Sequence, residues 1–189
     1  MDIVSRVKNI ILTPNTEWPV IAGEPANTGG LIGGYVIPLA LIGPIASIIG
    51  GAIAGVSIIT GVITGIIAVV SAIIGVLLDG FIFSKVAGMF GGRDDMGQGF
   101  KLAAYSFTPG WVIAIVDIIV PMAPIVGLLV FVGLIYGLYL IYAGASPVMG
   151  VPKEKAVGYT VVAIIVAIVV YFVIAAIIAA IVGVVLLSH

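Results

Sequence analysis

Apolar residues run without interruption through residues 31–78, which contain no Asp, Glu, Lys, Arg or His. A single helix of that length would measure about 70 Å, more than twice the thickness of a hydrocarbon core of about 30 Å. The run must therefore fold back on itself. Its least apolar part, residues 50–57, predicts a tight turn between two membrane spans at about 31–49 and 56–78.

Three further apolar runs predict spans at about 102–120, 125–143 and 156–187. Asp95 followed by Gln98 is typical of a helix start, and it predicts a helix from Met96 into the third span. Pro109 is expected to interrupt that span, and Pro38 and Pro44 are expected to kink the first. Charged loops are predicted around 79–101 and 144–154. The fold class is therefore an all-α polytopic integral membrane protein with five transmembrane helices.

The first 30 residues form a separate segment ahead of the transmembrane domain, which covers 31–189. Apolar residues in 2–12 follow the i, i+3, i+4, i+7 spacing of an amphipathic helix. Two placements remain open for this helix, one in the membrane interface and one packed against the cytosolic loops. Pro14 is expected to end it, and Trp18 is expected to lie in the headgroup layer. Residues 23–30 are predicted to be a loop.

Small residues recur four positions apart in the predicted hairpin, as in Gly51/Gly55, Gly61/Gly65 and Ser71/Gly75. This spacing lets apolar helices approach closely in lipid, where helix association has no hydrophobic driving force. The contacts predicted in this way lie within one chain. The alternative is a face for a membrane-protein partner or for a second copy of the chain.

The composition supports the membrane class and removes several chemistries. Hydrophobic residues make up 62% of the chain and charged residues 8%, and the mean hydropathy is +1.41. The absence of cysteine excludes disulfides, thiolate metal sites and cysteine nucleophiles. The net charge of −1 gives no indication of a nucleic-acid partner, so the lipid bilayer is the partner that the composition predicts.

The seven basic residues predict the orientation of the chain. With five spans, all seven fall on the same side of the membrane: Arg6, Lys8, Lys85, Arg93, Lys101, Lys153 and Lys155. By the positive-inside rule, this side is cytosolic. The N-terminus is therefore predicted to be cytosolic and the C-terminus to be outside.

Ionisable groups at membrane depth are candidate functional residues, and only Asp79 and Asp117 qualify. Asp79 is expected near the cytosolic rim as a structural partner of a cation such as Lys101 or as a helix-end residue, with proton or ion movement as the alternative. Asp117 is expected near the opposite rim, so the two carboxylates are too far apart for an aspartyl-protease pair. The lone His189 cannot form a metal site by itself. We predict no catalytic residue, no metal and no cofactor.

Several stretches resemble the Yip family of Ypt-interacting membrane proteins. They are residues 106–109 (SFTP), 136–144 (YGLYLIYAG) and 150–156 (GVPKEKA). Residues 4–18, with Pro14 and Trp18, resemble the lead segment of prokaryotic members. The resemblance implies a five-span fold without catalytic residues. Eukaryotic members contact Rab-type GTPases and shape membranes in vesicle traffic, but a lead of only about 30 residues points away from GTPase binding and towards the cell membrane of a bacterium or archaeon.

Three functions follow from these patterns. The first is a non-enzymatic membrane scaffold or adaptor, which the resemblance and the small charged loops favour. The second is a small transporter or channel that uses Asp79 and Asp117, which the proline-broken spans favour. An intramembrane enzyme is a distant third. The central parts of the spans carry no charge, which argues against transport because a polar pathway usually needs one.

Overall fold

The computed structural model describes residues 2–53, 55–118 and 123–187, and the description of side chains leaves out 117, 123–126 and 182–187. Two short helices come first, α1 (Ile3–Leu12) and α2 (Pro14–Gly23). The Asp2 side chain begins α1 by accepting a hydrogen bond from the Ser5 amide at 3.0 Å. Pro14 begins α2, as its fixed φ and missing amide favour, so the predicted end of the first helix is confirmed.

In the described part of the chain, five helical segments are long and apolar enough to cross a membrane, which confirms the predicted fold class. They are Thr28–Ile53, Ile58–Met89, Met96–Val116, Gly127–Met149 and Lys153–Ile181. The first is broken as its prolines predict. It consists of α3 (Thr28–Leu31), a wide π-helical turn (Ile32–Val36), α4 (Ile37–Ala40) and α5 (Ile42–Ile53).

The next two spans begin at the predicted signals, but the second continues as helix to Met89, 11 residues past its predicted end, so the first part of the predicted loop 79–101 is helical. Gly55, with φ +79°, turns the chain into α6 (Ile58–Met89). The Asp95 carboxylate accepts a hydrogen bond from the Gln98 amide at 3.1 Å and begins α7 (Met96–Ser106). Pro109 lies in the first turn of α8 (Thr108–Ile113), so the third span is interrupted just before it, and a 3₁₀ turn (Ala114–Ile118) follows.

The fourth helix is longer than the sequence suggests. The predicted span ended at Ala143, but α9 (Ala123–Met149) continues for six more residues and ends at Gly150, which has φ +69°. Gly144 was interpreted as part of a loop, whereas it lies inside the helix and lets Trp18 approach. An added Cβ there would lie 3.0 Å from Trp18 Cε2. A short 3₁₀ turn (Lys153–Lys155) then leads into α10 (Ala156–Leu187).

Close helix packing uses small residues within the chain. A Cβ at Gly61 of α6 would lie 2.9 Å from Ile48 of α5, and one at Gly65 would lie 3.0 Å from Pro44. At Gly99 of α7 it would lie only 2.1 Å from the Gly80 carbonyl oxygen of α6. These contacts confirm the in-chain packing predicted for the hairpin. Elsewhere the outer faces of α6, α9 and α10 expose apolar side chains, as lipid-facing helices do.

Candidate functional site

Among the residues that the structure describes, most polar contacts between helices lie at one end of the bundle. We call it the polar end and define it as α1, α2 and the loops 90–95 and 150–155. The two loops are joined by Arg93, whose amide donates to the Met149 carbonyl at 2.7 Å and whose guanidinium donates to the Val148 carbonyl at 3.0 Å. Tyr136 of α9 donates its hydroxyl to the Ile11 carbonyl at the end of α1 at 2.6 Å. The N-terminal segment and both loops therefore form one connected surface.

A buried ion-pair cluster joins α1 to α2. The Arg6 guanidinium donates to Glu17 Oε1 at 2.5 Å, and it also bonds the Glu24 carboxylate. The side chains of Arg6 and Glu17 are each only 6% exposed. Asn9 donates to the other Glu17 oxygen at 3.1 Å, and the Arg6 guanidinium lies 5.6 Å from the ring centre of Tyr105. Every charged group of the cluster thus has a partner of opposite sign, as buried charges require.

Lys101 closes the other side of this cluster. Its ammonium donates to the Ile21 carbonyl at 3.0 Å and to the Glu24 carbonyl, both at the C-terminal end of α2. That end carries unsatisfied carbonyls and the negative pole of the helix dipole, so it is a favourable place for a cation. The expected pair between Asp79 and Lys101 is therefore wrong, because α2 packs over α7 and its carbonyls bind the ammonium instead.

Asp79 of α6 bonds a different helix. It is 5% exposed, and its Oδ2 accepts a hydrogen bond from the Tyr171 hydroxyl of α10 at 3.1 Å. Its Oδ1 has no hydrogen-bond partner among the residues that the structure describes. Asp79 comes 21 residues after the first residue of α6, or about 31 Å along the helix axis, which is close to the thickness of a hydrocarbon core. Its location at the membrane rim remains a prediction. The side chain of Asp117 and the whole of His189 lie outside the described residues.

A cleft of about 500 Å³ opens between the N-terminal segment and the first and third spans. Its walls include Arg6, Glu24, Tyr35, Lys101 and Tyr105. Tyr35 hydrogen-bonds Thr108 at 2.8 Å, and its ring centre lies 4.6 Å from that of Tyr105. Both cations of the cleft already bond protein oxygens, so these groups stabilise the fold. In the described part of the chain, no three His, Cys, Asp or Glu residues lie close enough to hold a metal.

A second ion pair lies on the surface of the polar end. Lys85 Nζ donates to Asp94 Oδ2 at 2.7 Å, and Ser84 Oγ donates to Asp94 Oδ1 at the same distance. The hydrogen bonds from Lys85 and then Ser84 hold the pKa of Asp94 below its usual range. The Lys85 and Asp94 side chains are 50% and 46% exposed, so this pair differs from the Arg6 cluster mainly in its contact with water.

The N-terminal segment packs on the bundle rather than lying beside it. Ile10, Trp18 and Ile21 are fully buried, so the expectation of Trp18 in the headgroup layer is wrong. Of the two placements left open for the N-terminal segment, packing against the protein is the one that these residues adopt. Val4 and Leu12 remain exposed and form an apolar edge on α1. A signal was present in the sequence, because Arg6 and Glu17 lie at helical spacing on the apolar stripes of α1 and α2. Opposite charges at such positions indicate two helix faces that are buried together.

All seven basic residues lie at the polar end or at the helix ends that adjoin it, and every one of them is among the described residues. Neither curated proteins nor solved structures give a match. The family model described as the Yip1 domain matches residues 8–177, which is most of the sequence. The chain therefore belongs to the Yip1 domain family of membrane proteins.

Proposed function

We propose that the protein is a non-enzymatic scaffold or adaptor in the cell membrane of a bacterium or archaeon, with the polar end in the cytosol as the surface that a membrane-protein partner contacts. The observation that carries this proposal is the Arg6 cluster. Burying Arg6 together with Glu17 costs desolvation free energy, and crossing a membrane does not require it. The cluster and Lys101 hold α1 and α2 in one position on the bundle, as a binding surface needs.

The exposed charges of the polar end support the same proposal. Lys8, Lys153, Glu154 and Lys155 are exposed, whereas Arg6, Glu17 and Lys101 are consumed in contacts within the chain. A mixed, ordered charge pattern suits partner recognition, because electrostatic complementarity gives specificity to an interface. The cytosolic orientation rests on the positive-inside rule.

A photo-reactive crosslinking residue at Glu154, introduced into the full-length protein in its native cells, tests this function. We expect a discrete protein adduct that is lost when Arg6→Met releases the N-terminal segment. The matched control carries the same crosslinker at Val56, in the turn at the opposite end of the bundle. Adducts that are equal from both positions, or that do not change with Arg6→Met, would contradict a partner surface at the polar end.

A small transporter or channel is the second candidate, and Asp79 is the observation that favours it. A carboxylate that is buried in a spanning helix, with one oxygen that has no partner in the described part of the chain, resembles the polar groups that move protons or ions. Sealed proteoliposomes that contain a pH or cation dye distinguish the two functions. The scaffold predicts no flux above that of empty liposomes. Flux that appears with the wild type and disappears with Asp79→Asn or Asp117→Asn would overturn the scaffold and support transport.

A further inference from the structure

One face of α7 forms a wall of the cleft between the N-terminal segment and the first and third spans. Gly97, Lys101 and Tyr105 lie four residues apart along this helix, so they share the face that lines the cleft. At about 500 Å³, the cleft lies within the range of about 300–1,000 Å³ that is typical of small-molecule sites. The face therefore offers one cation and one hydroxyl to a space large enough for a ligand.

The Lys101 ammonium is buried without a carboxylate in hydrogen-bond contact. Lys101 is 5% exposed, and in the described part of the chain its ammonium donates only to the Ile21 and Glu24 carbonyls. Lysine is almost never buried this completely unless an opposite charge accompanies it, and the end of α2 supplies only the partial charge of its dipole. Because an ammonium has three N–H donors, one of them is left for a further acceptor.

Tyr105 brings an unused hydroxyl to the same wall. Its ring lies between that of Tyr35, whose centre is 4.6 Å away, and the Arg6 guanidinium, which is 5.6 Å from the Tyr105 ring centre. Tyr105 is 7% exposed, and its hydroxyl has no hydrogen-bond partner among the described residues, although buried hydroxyls are normally paired. The hydroxyl of Tyr35, which also lines the cleft, does have a partner in Thr108.

The walls of the cleft carry more positive than negative charge. Arg6 and Lys101 line it against one carboxylate, that of Glu24, which already accepts a hydrogen bond from Arg6. Glu17, the other partner of Arg6, does not line the cleft. Residues 27–28, at the start of the first span, add a side-chain amide and a hydroxyl to the opposite wall. Donors from three segments thus face one space, which suits an oxyanion.

The depth of the cleft favours one class of oxyanion. Its walls include the first turns of two spans, Thr28–Ile53 and Met96–Val116. Lys101 comes two residues after Gly99, which contacts Gly80 at a point 22 residues, or about 33 Å, from the first residue of α6. This distance is close to the thickness of a hydrocarbon core of about 30 Å, so we expect Lys101 at the level of the headgroups. Lipid phosphates are the oxyanions that are concentrated there.

We propose that this cleft binds a phosphate ester, and that the phosphate oxygens accept hydrogen bonds from the Lys101 ammonium and the Tyr105 hydroxyl. A buried ammonium without a carboxylate partner and an unused hydroxyl on the same helix face carry this proposal. Phospholipid headgroups and soluble phosphate esters share the required chemistry. The proposal goes beyond the scaffold function and does not rest on it, because binding of a phosphate requires no protein partner.

Native mass spectrometry of the full chain in a maltoside detergent tests the ligand class. We expect the wild type to retain one dioleoyl phosphatidylglycerol and to bind dioleoylglycerol, which lacks the phosphate, at least 10-fold more weakly. Retention of the phospholipid that glycerol 3-phosphate does not compete away assigns the site to lipid. Competition by glycerol 3-phosphate at equal concentration assigns it to soluble phosphate esters. Equal binding of the two lipids, or no binding of any of the three compounds, would overturn the proposal.

Two substitutions test the donors. Tyr105→Phe removes a hydroxyl that makes no bond within the described part of the chain, so it should weaken phosphatidylglycerol binding about 10-fold and leave Tm unchanged. Lys101→Met should weaken binding further, although it also removes the bonds to α2. Lys85→Met is the matched control, because it removes an exposed cation of the polar end that does not line the cleft.

A pair of adjacent glycines tests the location. Gly34 lines the cleft and Gly33 does not, and a Cβ at either position would meet no atom within 4 Å. Gly34→Leu should therefore abolish binding, whereas Gly33→Leu should keep it. Equal losses in these two variants would overturn the location, and an unchanged affinity of Tyr105→Phe would overturn the proposed contact. If Lys101→Met does not fold, Tyr105→Phe and the glycine pair decide the outcome.

Discussion

Replacing Arg6 by methionine should release the N-terminal segment while the spans stay folded. Methionine preserves the apolar stem of the side chain, but Glu17 keeps a buried carboxylate with its charge partner removed. Removing one member of a buried ion pair typically costs about 3–5 kcal/mol. We expect the low end, about 3 kcal/mol, because Glu24 is more exposed and can recover water. This corresponds to a roughly 100-fold increase in the opening equilibrium of α1 and α2.

Amide hydrogen exchange in detergent measures this opening directly. Amides of residues 3–12 and 14–23 should exchange about 100-fold faster in Arg6→Met, while those of α6 keep their protection. The double variant Arg6→Met/Glu17→Met should recover much of the loss, because it leaves no unpaired charge between the two helices. Lys85→Met breaks the exposed pair and serves as the matched control, with unchanged exchange in α1 and α2. A double variant as destabilised as the sum of the two single ones would refute this reasoning.

Three further predictions follow from the same contacts. Asp79→Asn and Tyr171→Phe should each lower thermal stability, and a double-mutant cycle should give a coupling free energy of about 1 kcal/mol between them. Coupling of Asp79 to Lys101 instead would contradict the structure. The contribution of Asp94 to folding stability is complete above the ordinary carboxylate pKa of about 4, and it is lost as pH falls through the lowered pKa of the folded state. The Tm of Asp94→Asn should therefore fall less steeply between pH 5 and 2.5 than that of the wild type. Parallel curves would exclude this role. In intact cells a membrane-impermeant thiol reagent should label Val56→Cys but not Glu154→Cys, and the reverse pattern would invert the cytosolic assignment.

Much of the fold could be predicted because lipid makes the pattern simple. A charge-free run twice as long as a bilayer must turn, and the glycines near its middle show where. Asp95 and Pro109 act on their own backbone neighbours, so their effects on α7 and α8 could be predicted locally. The resemblance to the Yip family rested on Tyr, Gly and Pro patterns in the C-terminal half, and the family match over residues 8–177 confirms it.

The Arg6–Glu17 pair left a signal in the sequence, but other contacts of the polar end could not be predicted because their partners are distant along the chain. Lys101 bonds carbonyls that come about 80 residues earlier, and backbone carbonyls leave no mark in a sequence. Gly144 was interpreted as part of a loop, but a glycine inside a helix can equally mark the close approach of a ring, here that of Trp18.

The length of α6 ties the polar end to the thickness of the bilayer. From Ile58 to Leu78 the helix measures about 31 Å. Its last turns pack in part against α7 and the loop 90–95, where Gly80 meets Phe100 and Lys85 bonds Asp94. A stretch of about 31 Å fits a core of 30 Å with a tilt of about 15°, but a thinner core of about 27 Å requires about 30°. Since the helix continues unbroken, the same change swings its final 15 Å sideways by about 4 Å. A protein built in this way would convert local thinning of its membrane into a displacement of its polar end.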